Sequence, residues 1–98
     1  MPVNAAPVRS VPPAEIATGQ LIVETTLTLV VAARPERRGV LIINGSSLPL
    51  FLGDEGVTVA NGLRILGVEG TGIVIPTTHA IYGVVASGSA SVSYMELY

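Results

Sequence analysis

The chain has 98 residues, of which 12% are charged and 49% hydrophobic, with a net charge of −2 and no cysteine. That length holds one domain with a single modest core; the charge balance excludes a basic field for nucleic acid, and the missing cysteine excludes a disulfide framework or a thiolate metal site. Charged side chains make up about 25% of an average soluble domain, so this chain has too few to cover its own surface and is expected to bury part of it against other subunits.

Residues 1–19 contain Pro2, Pro7, Pro12 and Pro13. Proline has no N–H for a ladder and favours extended or polyproline II backbone. An extended N-terminal arm is expected here, with Val3, Val8, Val11 and Ile16 as apolar contacts on a partner; a solvated tail is the alternative. Neither a signal-peptide pattern nor an apolar run of membrane-spanning length is present in the sequence, because the prolines break the first and Glu24 and several threonines the second. Synthesis in the cytoplasm without membrane insertion is the expectation.

From Leu21 to Val31 apolar residues alternate with a mixed set, which predicts one long strand. The turn at Arg34-Pro35-Glu36-Arg37-Arg38-Gly39 holds most of the chain's positive charge. The chain has five arginines and no lysine. Arginine suits bidentate, interfacial pairing, so Arg34, Arg37 and Arg38 are candidate interface residues, with a solvated turn and a codon bias toward arginine as the plain alternatives.

Further strands are predicted at Val40–Ile43, Leu48–Leu52, Val57–Val59, Leu63–Val68, Gly72–Ile75, His79–Ala86 and Ala90–Leu97. Pro49 suggests an edge position for its strand. Asn44-Gly45-Ser46-Ser47, Gly53-Asp54-Glu55-Gly56, Glu69-Gly70-Thr71, Pro76-Thr77-Thr78 and Ser87-Gly88-Ser89 are turn signals, and Asn61-Gly62 predicts a type I′ hairpin. About eight short strands at near-regular spacing, without a helical period, predict an all-β fold. It is a small antiparallel β-sandwich or barrel, jelly-roll-like, over residues 20–98. Leu27, Leu29, Val40, Ile42, Leu50, Ile73, Ile75, Val84 and Val92 are the expected core. The strand around Ile81–Ala86 is apolar on both faces, a further hint of a covering partner.

No residues assemble into catalytic, cofactor or metal chemistry. His79 is the only histidine and has no second His or Cys to share a metal. Asp54 and Glu55 are neighbours in one turn, where two carboxylates seldom face each other across a substrate. With no lysine there is no phosphate-binding loop of the Gly-x-x-x-x-Gly-Lys type.

Residues 34–98 resemble a group of small structural proteins of tailed bacteriophages. The resemblance lies in the arginine turn leading into Gly39-Val40-Leu41-Ile42-Ile43-Asn44, then Leu50-Phe51-Leu52-Gly53, Gly56-Val57-Thr58 and Asn61-Gly62-Leu63, and the ending Ala80-Ile81-Tyr82-Gly83-Val84-Val85-Ala86-Ser87-Gly88. It implies a non-enzymatic virion protein, a decoration or cement protein on the capsid surface. Such a protein acts as a homo-oligomer, expected as a trimer, and its partner is the major capsid protein or another virion protein. The alternative is a binding module of a head fibre or tail that recognises a host surface or carbohydrate. Neither nucleic acid, membrane nor cofactor is expected.

Overall fold

A computed structural model describes residues 16–98. They form eight strands: β1 (Ile16–Val23), β2 (Thr28–Val31), β3 (Gly39–Asn44), β4 (Leu50–Gly53), β5 (Leu63–Ile65), β6 (Thr71–Ile75), β7 (Ile81–Val84) and β8 (Ala90–Leu97). All pairings are antiparallel, in two sheets ordered β1-β8-β3-β6 and β2-β7-β4-β5. The first strand pairs with the last, the second with the seventh, the third with the sixth and the fourth with the fifth. The chain is thus one long hairpin, with its tip between β4 and β5, rolled into a two-sheet sandwich. That is the strand order of a jelly roll, and it brings chain segments far apart in sequence together at each end of the sandwich.

The core lies between the sheets. Val23, Val40, Ile42, Ala90 and Val92 enter it from one side, and Val31, Leu50, Leu52, Ile65, Ile81 and Val85 from the other. Ile73 and Ile75 pack at its margin. Three expected core residues are outside it: Leu27 and Leu29 are each 47% exposed, and Val84, though buried, lies on the outer side of β7 opposite Phe51. The expected long strand is broken at Glu24–Leu27, where the chain crosses from one sheet to the other. Beyond the break, a register shift between Leu29 and Val31 turns Val30 and Val31 inward and leaves Leu29 outside. A single added residue reverses the facing of everything beyond it.

Three further expectations are corrected. Val57–Val59 is a loop, not a strand. The strand after Pro49 is interior, between β7 and β5, with the proline just before its first residue. Asn61-Gly62 is not a type I′ turn, because positive φ occurs at Gly70 and Gly88 among the described glycines and not at Gly62. Instead the Asn61 side chain accepts from Thr58 N–H at 2.7 Å and donates to Gly56 C=O at 3.3 Å, closing a loop over 54–62. At the N-terminal end, Ile16–Gly19 pair with Leu97–Tyr94 in β1, so the sheet begins before the boundary expected at residue 20. Val3, Val8 and Val11 lie outside the described residues.

Candidate functional site

The arginine turn divides its three residues between interior and surface. Arg37 is 2% exposed. Its Nε donates to Thr77 C=O at 2.9 Å, Nη1 to Ala32 C=O at 2.9 Å and to Glu96 Oε1 at 3.0 Å, and Nη2 to His79 C=O at 2.6 Å. One guanidinium thereby ties the β2–β3 loop, the β6–β7 loop and the end of β8 together. Its charge is met by Glu96, also 2% exposed. Arg37, a candidate interface residue from the sequence, is buried here and makes these bonds within the chain. Arg34 and Arg38 remain at the surface. Arg34 Nε lies 3.4 Å from Glu96 Oε1 with its side chain 53% exposed, and the Arg38 backbone N–H donates to Leu97 C=O at 2.7 Å.

His79 sits beside this clamp and its backbone belongs to it. Its C=O accepts from Arg37, and its N–H donates to Thr77 Oγ1 at 3.0 Å. The exposed imidazole lines a groove of about 530 Å³ with Asp54, Glu55, Thr77 and Tyr82, over apolar Leu52, Ile75 and Ile81. Asp54 is a turn residue, its Oδ1 accepting from Gly56 N–H at 2.8 Å. Among the described residues, no group of three or more His, Asp or Glu side chains is placed to hold a metal ion.

The two outer sheet faces differ. On the β2-β7-β4-β5 sheet, the 54–62 loop folds back over the strands. Val57 is buried there against Gly53 and Gly62, beside Val84. The apolar outer side of β7 is therefore partly covered by the chain's own loop, where a partner was expected.

The outer face of the β1-β8-β3-β6 sheet carries no such cover among the described residues. Strand alternation places Thr18, Met95, Leu41 and Val74 in one row across the sheet and Gln20, Ser93, Ile43 and Gly72 in the next. Ile16 and Leu97 flank the first row, and Ile22 and Ser91 the second. Among the described residues, no charged one stands on this face. A groove of about 250 Å³ runs along it between Thr18, Gln20, Leu41, Ile43, Ser93 and Met95. No family model, curated protein or solved structure matches the chain significantly.

Two residues that organise these sites were not singled out from sequence. Glu96 lies on the inward phase of β8, after Ala90, Val92 and Tyr94, and Asn44 on the inward phase of β3, after Val40 and Ile42. A polar group on an otherwise apolar phase signals an internal partner. Asn44 is fully buried and donates to Leu48 and Leu66 C=O while accepting from Ser46.

Proposed function

We propose that this chain is a non-catalytic structural subunit that works in multiple copies on a larger protein particle. The finer form of the proposal is decoration or cementing of a phage-type capsid. The observation that carries it is the uncharged outer face of the β1-β8-β3-β6 sheet. Soluble domains normally wet such a face with charged side chains. Here Leu41, Ile43, Val74 and Met95, with Ile16, Ile22 and Leu97 beside them, share the described face with only Thr, Ser, Gln and Gly as the other residues. Burying that face removes apolar area from water at roughly 25 cal/mol per Å², and repetition over a shell adds avidity. Arg34 and Arg38 supply charge at one end of the sandwich, suited to the polar rim of such a contact.

Co-sedimentation tests the proposal. The chain should travel with particles assembled in the cells that make it, at a fixed copy number. The paired substitution Leu41→Lys and Met95→Lys should release it while leaving the far-ultraviolet spectrum unchanged. Recovery of the wild-type chain only as free protein overturns the proposal. A second proposal, a head-fibre or tail binding module, draws on the groove beside His79. There the Tyr82 ring, the Thr77 hydroxyl and the Asp54 and Glu55 carboxylates accompany an apolar lining, the mixture that a saccharide uses. Chemical-shift changes confined to those residues on titration with host-surface glycans support it, and their absence removes it.

A further inference from the structure

Among the described residues four strands lie at sheet edges, and three of them carry a device that blocks pairing with another chain. β2 has four residues and a register shift; β5 has three residues and contains Arg64; β6 has five and is closed by Pro76. Short length, bulges, charge and proline are the ordinary protections of an edge. β1 has none of them. It is eight residues long, Ile-Ala-Thr-Gly-Gln-Leu-Ile-Val, with neither charge nor proline. One edge pairs with β8, and no strand lies along the other among the described residues. Pro2, Pro7, Pro12 and Pro13 leave the preceding segment without the N–H groups for a continuous ladder.

We propose that β1 pairs antiparallel with β1 of a second copy about a twofold axis at Gly19, joining the two β1-β8-β3-β6 sheets into one continuous sheet. The register follows from the side chains. Facing residues must share a sheet face, which restricts the axis to a residue position. An axis at Gly19 sets Ile16 opposite the partner's Ile22, Thr18 opposite Gln20 and Ala17 opposite Leu21. Ile16 and Ile22 are the two most exposed apolar side chains of the strand, at 60% and 51%, and this register covers each with the other, twice by symmetry. An axis at Gln20 sets Ile16 against Glu24, and one at Thr18 sets it against Gln20. Cross-strand apolar pairs stabilise a sheet, and a twofold contact is self-complementary by construction. The arrangement is twofold where the phage resemblance implied a trimer. It takes from the proposed function only that the chain works in copies, and it is read on purified protein, so its failure is separable from failure to bind a particle.

The chain has no cysteine, which makes disulfide trapping unambiguous. Ile16→Cys and Ile22→Cys proteins, mixed and oxidised, should give a mixed disulfide, since facing Cα atoms fall within bridging range. Each variant alone should not cross-link, because its two cysteines lie six residues of strand apart in the dimer. Light scattering should give the full-length wild-type chain twice its monomer mass. Thr18→Lys with Gln20→Lys, which sets like charges opposite each other at two exposed positions, should give a folded monomer. A monomeric or trimeric wild type, equal cross-linking of either variant with itself, or an intact dimer in the double-lysine protein overturns the pairing.

Discussion

At the scale of single residues, a domain with few charges places one ion pair inside. Arg37 and Glu96 are both buried, and a buried charge left without its partner costs about 3–5 kcal/mol. Glu96→Ala strands the Arg37 guanidinium and should lower stability by about that amount. Arg37→Ala should cost at least as much, because it also leaves the carbonyls of Ala32, Thr77 and His79 short of a donor. Arg34→Ala should cost less than about 1 kcal/mol, since that side chain is half exposed and screened by water. Urea denaturation of the three variants checks the order. Equal losses for Arg34→Ala and Arg37→Ala would contradict the division of the arginine turn into a surface and an interior residue. That division was not legible in the sequence. Arg34, Arg37 and Arg38 share one turn, and the partner of Arg37 stands 59 positions away. Only the inward phase of Glu96 gave a sign of it.

At the scale of elements, strand content was legible where apolar runs end in turn residues over β3, β4, β6, β7 and β8. It failed at Glu24–Leu27 because apolar and mixed residues alternate without interruption from Leu21 to Val31. The corner there carries neither glycine nor proline. Thr28 makes it, its Oγ1 accepting from Glu24 N–H and donating to Thr26 C=O; such local side-chain bonds leave no periodic trace. Val57–Val59 misled for the opposite reason: Val57 is buried as a lid on a sheet face instead of in a strand within one, and Val59 is left exposed. The β5–β6 connection makes a third kind of contact, backbone against backbone. A Cβ on Gly67 would meet Leu48 C and Pro49 N at 2.9 Å, and the Ser47 carbonyl oxygen besides. None of these can rotate away, so Gly67→Ala should separate the β3–β4 turn from the β5–β6 loop at a cost on the order of 1–3 kcal/mol. The same shift should disturb the Asn44 bonds to Leu48 and Leu66 carbonyls. Amide exchange should accelerate at Ser46 and Leu48, whose N–H groups bond to Asn44 and Ser46 side chains. A Gly67→Ala protein with wild-type stability and exchange would show that the two loops are not coupled.

At the scale of the molecule, the rolled hairpin makes the first described strand a partner of the last. β1 therefore holds the fold together even though it lies at an edge, and where the chain can be shortened follows from its pairing. All eight pairings between β1 and β8 begin at Ile16. Removal of residues 1–15 should leave the melting temperature nearly unchanged, and with it the β-type far-ultraviolet spectrum. If those residues act as the attaching arm that the sequence suggests, the shortened protein should lose affinity for its particle without losing its fold. Removal of residues 1–19 is a different operation. It takes away the pairings from Ile16↔Leu97 to Gly19↔Tyr94. It also strips the backbone over which the Tyr94 ring lies, since the site of a Gly19 Cβ is occupied by that ring. It opens the end of β8 next to buried Glu96, admitting water to the Arg37 clamp. In a domain of this size each kcal/mol lost lowers the melting temperature by about 4–8 °C, so a clear fall should separate the two deletions by calorimetry. Equal melting temperatures would mean that the first half of β1 contributes nothing to the sandwich, and the domain would then begin near residue 20, as the proline content alone suggested.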